Sequence, residues 1–369
     1  MFKQVIAIAI MVAPFPAMPV GSCTAVEMYH VQFPYSGQLV TGLSLAKNQA
    51  TWLILGNDGQ LHYLENADQF RDVQAIEGEF TPATAIELRR SLNREFGPAF
   101  EVIATKHFVV VQPKGRGSKW PDTFESLHQQ FTHQLKKRGV NVRTGKFPMV
   151  AVVMPDRTAF HAALDRQKIP NRSLAGIYIA NSNRVYTYDS GMASSTIAVL
   201  RHEAAHQSAF NSNIHSRLNE TPKWITEGLG MLFESPAMAD GRVSQLWQRA
   251  HTDAISRLQQ RYEDSNQSLP NDIRRLVSED LMFDQANEVQ DAYSISWLLM
   301  FYLCERRPSV FAEFLNHTTA RPPFVGYGRE QRLSDCQAIT DQTIDQLAVD
   351  VARFLQSISK NSSANRNHQ

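Results

Sequence analysis

The pattern that most constrains this chain is H-E-x-x-H, formed by His202-Glu203-Ala204-Ala205-His206. Apolar residues precede it and its two middle positions are small, which predicts a buried helix beginning at 194 or 195 and ending at 210. Residues i and i+4 of a helix share one face, so the two imidazoles can converge on one Zn²⁺ ion. Glu203 would accept a proton from the water on that ion, whose pKa the metal lowers. A surface helix with two unrelated histidines is the alternative.

The third ligand distinguishes the types of zinc site. The longer pattern H-E-x-x-H-x-x-G-x-x-H needs Gly at 209 and His at 212, but this chain has Ala209 and Ser212. A glutamate on a second helix is the other solution. Glu227 meets that requirement, since it lies far enough beyond His206 for a loop and an antiparallel return helix.

The residues around Glu227 favour its role as a metal ligand over that of an exposed surface carboxylate. Thr221 is predicted as the N-cap of its helix and Pro222 as the first helical residue. Gly228 would permit close approach of another helix. Apolar neighbours predict that this helix is buried, where a lone carboxylate would be costly. The sequence therefore predicts a metal site formed by His202, His206 and Glu227.

Tyr293 is the best candidate for a donor to a developing oxyanion. It stands near the start of a strongly apolar helix that begins at about Asp291, so its hydroxyl would point into a cleft from the polar end of that helix. The alternative is a core tyrosine with a satisfied hydroxyl. His215 and Arg217, in the loop between the two metal-binding helices, would either contact substrate and ligands or stabilise the loop itself.

The N-terminus predicts export. Lys3 precedes a short apolar run over residues 5–13, which is typical of a signal peptide within residues 1–25 and too short to span a bilayer. Small residues before Cys23 are typical of a lipoprotein cleavage site, which would make Cys23 a lipid anchor. The alternative is cleavage near Ala25 and release. Either outcome predicts a protein of the cell envelope or the extracellular space.

Two further cysteines fit export without proving it. Cys304 and Cys336 form an even pair once Cys23 is lipidated or removed. They would form a disulfide in an oxidising compartment or remain as two buried thiols. The sequence leaves both alternatives open.

Composition predicts an ordinary globular protein. The 369 residues are 43% hydrophobic and 20% charged, with a formal net charge of +1. The absence of a strong charge excess argues against a nucleic-acid partner.

The pattern of elements predicts an α+β fold with a small β-rich region over residues 26–95 and a larger domain over 96–356. Hairpins are predicted at residues 52–64 and 176–188, and helices dominate after 194. The second hairpin would offer an edge to which an extended substrate can add as a strand. Residues 357–369 are rich in Ser and Asn, which predicts a disordered tail.

The stretch from residue 176 to 234 resembles the peptidase MA-like, or gluzincin, superfamily. Within it, the chain is most similar to an uncharacterised bacterial family of exported proteins. The matching segments are Arg184-Val185 at the end of the hairpin, residues 200–207, Phe210-Asn211, His215-Ser216-Arg217, residues 222–229 and the helix from Ala292-Tyr293 to Leu303. The likeness covers roughly residues 100–320.

The resemblance implies a zincin-like, thermolysin-like domain. Its expected parts are a mixed sheet, two zinc-ligand helices and a helical C-terminal lobe. It implies ligands at His202, His206 and Glu227 and a base at Glu203, and it gives no substrate. We therefore expect a zinc-dependent hydrolase, in particular a metallopeptidase acting on a polypeptide.

Two other functions remain open. One is an envelope binding or scaffold protein with a non-catalytic zinc site, although a purely structural site has no use for Glu203. The other is a zinc amide hydrolase acting on cell-wall material. An exposed sheet edge beside the metal would favour a peptide substrate, and a wide cleft with aromatic platforms would favour a sugar-containing polymer.

Overall fold

A computed structural model of the chain describes residues 29–35, 37–65, 67–190, 194–240, 242–263 and 268–366. The predicted signal peptide over residues 1–25 and the predicted lipid anchor at Cys23 lie outside these ranges. Within them, no helix is both long and apolar enough to cross a membrane.

The described chain is a mixture of helices and two β-sheets with a β-rich N-terminal region, as expected for an α+β protein. The strands are β1 (His30–Tyr35), β2 (Gln38–Lys47), β3 (Trp52–Gly56), β4 (Leu61–Leu64), β5 (Gln74–Ala75), β6 (Phe100–Ala104), β7 (Phe108–Pro113), β8 (Met149–Met154), β9 (Gly176–Ile179) and β10 (Arg184–Tyr188). The helices are α1 (Ala67–Arg71), α2 (Ala85–Phe96), α3 (Lys119–Lys137), α4 (Arg157–Arg166), α5 (Ser194–Asn211), α6 (Lys223–Glu234), α7 (Pro236–Ala239), α8 (Leu246–Arg249), α9 (Thr252–Glu263), α10 (Leu269–Ser278), α11 (Leu281–Asp284), α12 (Val289–Arg306), α13 (Pro308–Ala320), α14 (Arg329–Thr340) and α15 (Ile344–Arg366).

These elements form two compact units. The first unit comprises Met1–Glu125 and Gly145–Gly191, and the second comprises Ser126–Thr144 and Met192–Gln369. Both sheets belong to the first unit, which therefore takes in the predicted N-terminal region and the strands that the sequence assigned to the next domain. Backbone hydrogen bonds explain this grouping, since Leu61 N–H donates to the Asn181 carbonyl at 2.7 Å.

The N-terminal sheet has the order β4-β3-β2-β1-β5 and is antiparallel at every pairing. Its predicted hairpin, β3 with β4, is confirmed. Alternation of buried and exposed positions gives one apolar face, as expected for a half-buried sheet. That face forms a small core from Val31, Phe33, Trp52, Ile54 and Leu64.

The second sheet has the order β6-β7-β8-β10-β9 and is mixed, as the sequence predicts. β8 pairs in parallel with both β7 and β10, whereas β6 and β9 are antiparallel edge strands. The hairpin of β9 and β10 is confirmed. Its turn contains Asn183 with φ of 56°, a left-handed conformation that asparagine tolerates better than most residues.

Helices α5, α6 and α12 make up the centre of the second unit. Gly228 of α6 explains how closely α6 and α12 pack, because a Cβ there would lie 2.6 Å from the Ser296 carbonyl oxygen and 2.6 Å from Met300 Cγ. The predicted role of Gly228 in close helix approach is confirmed.

The start of α6 differs from the prediction by one residue. Pro222 is the N-cap and Lys223 the first helical residue, and Pro222 provides no side-chain cap. Thr221, the predicted cap, has a buried hydroxyl without a hydrogen-bond partner among the described residues. The Asp280 carboxylate replaces it, because Asp280 Oδ1 accepts from Lys223 N–H at 2.9 Å.

The C-terminal part also differs from expectation. α15 continues to Arg366, where composition predicted a disordered tail from residue 357, and residues 367–369 lie outside the described chain. Cys304 and Cys336 are free and buried, which corresponds to the second alternative for this pair. Burial raises the pKa of each thiol to about 12.

The cap at the start of α6 makes a testable prediction. Asp280→Ala should lower the free energy of unfolding by about 1 kcal/mol or more, since it removes both the acceptor for the helix N-terminus and the carboxylate that binds Arg332 Nη2 at 3.0 Å. Asp284→Ala is the control because Asp284 is exposed and its carboxylate binds the Lys223 ammonium at 2.7 Å rather than a backbone N–H of α6. Urea titration should show a loss below about 0.5 kcal/mol for the control. Equal losses for the two variants would contradict the assignment of Asp280 as the cap.

Candidate metal centre

Helix α5 brings the two histidines of the motif together, as the spacing predicts. Their rings lie 4.4 Å apart between centroids at an interplanar angle of 78°. Glu227 of α6 faces them, with Oε2 at 3.2 Å from His202 Nε2 and 3.6 Å from His206 Nε2. One ligand atom from each residue lies within 4.8 Å of the others. The three residues form a buried group that could hold a metal ion.

The surroundings of His206 give independent evidence that this group fits a metal ion. It is 1% exposed, and its Nε2 has no hydrogen-bond partner within the described ranges. The distance of 3.6 Å to Glu227 Oε2 is too long for a hydrogen bond. A buried polar atom without a partner is costly, and coordination of a metal would satisfy it.

Gly230 makes room for the two rings. A Cβ at this position of α6 would lie 2.7 Å from His202 Cε1 and Nε2 and 2.9 Å from His206 Cε1. Only glycine therefore lets α6 pass this close to the imidazoles. The sequence analysis did not identify Gly230, although it belongs to the same Gly-x-Gly segment as Gly228.

The charges of the site also favour a cation. Burial lowers the pKa of His202, but hydrogen bonds to Glu227 and Glu234 outweigh it and raise the pKa to about 10. Burial raises the pKa of Glu227, but the hydrogen bond from His202 and the nearby His206 imidazole outweigh this and lower the pKa to about 2. Burial and the charge on His202 lower the pKa of His206 to about 4. The protonated His202 imidazole thus balances these carboxylates only in part, and a divalent cation would balance them better.

Glu234 is a site residue that the sequence analysis missed. Its Oε1 lies 2.8 Å from His202 Nδ1, and its Oε2 lies 3.0 Å from His251 Nε2. Glu234 stands seven positions after Glu227, which is two helical turns, so both carboxylates lie on the same face of α6. That spacing was the available signal. His251 comes from a different segment, just before α9, and no sequence pattern pointed to it.

Glu203 and Tyr293 are both buried next to these groups. The negative charge of Glu203 helps to raise the pKa of His202 and of Tyr293. Burial, and then the charges of Glu227 and Glu203, raise the pKa of Tyr293 well above its usual range, so its hydroxyl stays protonated. The Tyr293 ring centroid lies 6.5 Å from that of His202. All the predicted catalytic and metal residues are therefore neighbours.

A partly buried ion-pair network holds the helix that carries Tyr293. Arg257 Nε donates to Asp291 Oδ1 at 2.6 Å, and Arg261 Nη1 donates to Asp291 Oδ2 at 2.5 Å. Asp291 lies in the first turn of α12, where a carboxylate also interacts favourably with the helix dipole. These contacts from α9 fix the end of α12 at which Tyr293 lies.

His215 and Arg217 behave differently from each other. Arg217 is half-buried and lies outside the group of possible metal ligands. His215 is 1% exposed, packs on Phe210 at 5.4 Å between ring centroids, and has no hydrogen-bond partner for either ring nitrogen in the described chain. Burial and the nearby His206 lower the pKa of His215 to about 3. His215 is therefore a neutral side chain of the core.

The whole site is closed to solvent. The side chains that form it are less than 10% exposed: His202, Glu203, His206, Glu227 and Tyr293. Burial strengthens every electrostatic interaction among them, because the local dielectric is low.

Comparison with known proteins adds one family match. A family model described as a protein of unknown function, DUF1570, matches residues 196–325. This stretch contains every residue of the site described above. A search of curated proteins found no match.

The space at Gly230 yields a prediction. Gly230→Ala should weaken Zn²⁺ binding at least tenfold, because the added Cβ would displace the His202 and His206 rings, while the protein still folds since alanine favours helices. Gly326→Ala is the control, since its Cβ would meet only Glu220 Oε2 at 3.9 Å. Competition with a chromophoric chelator measures both affinities. Unchanged affinity in Gly230→Ala would show that the rings are not held as described.

His215 yields a prediction about pH. Its folded pKa of about 3 lies below the ordinary 6.5, so the unfolded chain binds more protons between these values and stability falls as pH drops from 6.5 towards 3. In chelator-treated protein, His215→Phe should make the unfolding free energy less dependent on pH over this interval. Urea titrations at several pH values would measure it. Ser216→Ala, a neighbour that does not titrate, should keep the wild-type dependence; a variant His215→Phe that also keeps it would contradict the prediction.

Proposed function

We propose that this protein is a zinc-dependent hydrolase, specifically a metallopeptidase. The observation that supports it most is the buried group of His202, His206 and Glu227, with Glu203 beside it. Two helices provide these residues in the order that the motif and the downstream glutamate predict. The proposal includes a zincin-like, thermolysin-like arrangement, which the mixed sheet and the helical second unit are compatible with.

The donor set supports zinc over other ions. Two imidazoles and one carboxylate form the ligand set of catalytic zinc sites that keep a fourth position for water or substrate. Mg²⁺ and Ca²⁺ prefer oxygen ligands, which form the minority here. When bound, Zn²⁺ would polarise a water molecule and the carbonyl group of the substrate.

Glu203 is proposed as the general base. It would accept a proton from the water as that water attacks the carbonyl carbon, and then deliver the proton to the leaving nitrogen. Its position directly after His202 keeps the carboxylate near the metal ligands without making it one. In a purely structural metal site, a buried carboxylate here would have an energetic cost and no role.

Tyr293 is proposed as the donor to the oxyanion. Its raised pKa keeps the hydroxyl protonated across the neutral range, which a donor requires. The charge of Glu227 contributes to this raised pKa, which indicates that the hydroxyl lies near the ligand group.

The substrate class follows from the predicted export signal. We propose a polypeptide of the cell envelope or the extracellular space.

Burial supports a second candidate function. The five site residues are almost inaccessible, and a closed zinc site is typical of a structural role. An envelope binding or scaffold protein with a non-catalytic zinc site would need no access for substrate. Glu203 separates the two functions, because only a hydrolase depends on it.

Metal content and digestion of a casein-type substrate test the proposal. We expect one zinc per chain in the wild type, weaker binding in Glu227→Gln, and normal binding in Glu203→Gln. Digestion should be lost in both variants. Tyr293→Phe should retain zinc and digest about 10²- to 10³-fold more slowly, the usual loss for one oxyanion donor.

Each other outcome has a defined meaning. Zinc bound normally in the wild type and Glu203→Gln, with no digestion by any form, would favour the scaffold. Failure of the wild type to take up zinc after reconstitution would overturn the proposal. Glu305→Ala is the control for general destabilisation, since Glu305 is a partly buried glutamate that binds Arg138 and Arg249 rather than site residues.

A further inference from the structure

His202 uses both ring nitrogens, and the two have different partners. Nε2 faces Glu227 and the space between the proposed ligands, at 3.2 Å from Glu227 Oε2. Nδ1 lies on the opposite side of the ring, 2.8 Å from Glu234 Oε1. Because an ionised carboxylate only accepts hydrogen bonds, Nδ1 must carry a proton and donate to Glu234.

The second oxygen of Glu234 has an equally defined partner. His251 Nδ1 accepts a hydrogen bond from Ala254 N–H at 3.2 Å, so the proton of the neutral His251 ring is on Nε2. His251 Nε2 then donates to Glu234 Oε2 at 3.0 Å. The backbone of α9 thus determines the tautomer of His251. In that tautomer His251 Nε2 is the donor, and the Glu234 carboxylate is the acceptor.

Packing holds this chain of hydrogen bonds in one geometry. The His251 ring lies 6.0 Å from the Trp297 ring of α12, between centroids. His202 is fully buried, and Glu234 and His251 are 11% and 18% exposed in their side chains. The three groups therefore connect α5, α6 and the start of α9 through contacts that solvent barely reaches.

We propose that Glu234 and His251 are positioning residues for the metal site: together they hold His202 with its Nδ1 protonated and its Nε2 directed at the ligand group. This deepens the proposed function and rests on it, since it assumes that His202 Nε2 binds a metal. α6 would then contribute two residues to the site: Glu227 as a ligand, and Glu234 as the hydrogen-bond acceptor that orients His202. His251 acts on His202 only through Glu234.

The order of these contacts makes a specific prediction for metal affinity. Glu234→Ala should weaken Zn²⁺ binding by about 10- to 100-fold, the usual effect of removing the partner of a ligating histidine. His251→Phe keeps the ring packing but removes both nitrogens, and should weaken binding by a smaller factor. His251→Gln, which retains an N–H donor, should restore part of that loss.

A double-mutant cycle then tests the proposed order. If His251 acts only through Glu234, the double variant Glu234→Ala/His251→Phe should bind Zn²⁺ no more weakly than Glu234→Ala alone. The visible spectrum of bound Co²⁺ gives a second measurement, since it reports ligand geometry. We expect Glu234→Ala to change the band positions or intensities, and the destabilising control Glu305→Ala to leave them unchanged.

The outcomes separate this inference from the proposed function. A wild-type protein that binds no metal would defeat the proposed function itself. A wild type that binds zinc, with equal affinity and an unchanged Co²⁺ spectrum in Glu234→Ala, would overturn only the positioning role. A loss from His251→Phe that persists in the Glu234→Ala background would overturn the proposed order. If Glu234→Ala does not fold, Glu234→Gln decides, because an amide cannot accept from His202 and His251 at once.

Discussion

The arrangement of the second unit depends on one buried carboxylate, that of Glu227, held against two imidazoles. A charge removed from water needs a partner of opposite charge, and here a protonated His202 provides it in the metal-free protein. This compensation is incomplete, because Glu234 shares the same imidazole and His206 Nε2 has no hydrogen-bond partner among the described residues. The site therefore has the ligands and the excess of negative charge that suit a divalent cation.

Two glycines of one helix allow this contact to form. Gly228 removes the Cβ that would collide with α12, and Gly230 removes the one that would collide with the imidazoles of α5. α6 can then lie close to both neighbours at once, which brings a carboxylate, two histidines and Tyr293 into one region. The two glycines lower the helix propensity of α6 by about 1 kcal/mol each, and this cost is the structural condition for the candidate metal site.

The sequence predicts what depends on local spacing and misses what depends on distant contacts. His202 and His206 were predictable because the i, i+4 relation places them on one face, and the β9–β10 hairpin because its strands alternate around a short turn. The start of α6 was not predictable, because its cap, Asp280, lies 57 residues further along the chain than Lys223. His251 reaches Glu234 only through the tertiary fold, so no motif includes it.

In the proposed hydrolase, burial of the site would influence catalysis in two opposite ways. It makes the electrostatic effects of Glu203 and Tyr293 strong, because low dielectric surroundings screen them weakly and exclude competing water. It also prevents a polypeptide from reaching the ligand group as the side chains lie. A hydrolase with this site would need a movement that admits substrate yet leaves the ligands in place. The contacts of α6 with α5 and α12 include the glycine approaches, so they are poorly suited to move. The hydrogen bonds that Glu234 accepts from His202 and His251 would keep His202 directed at the metal while other parts of the protein open.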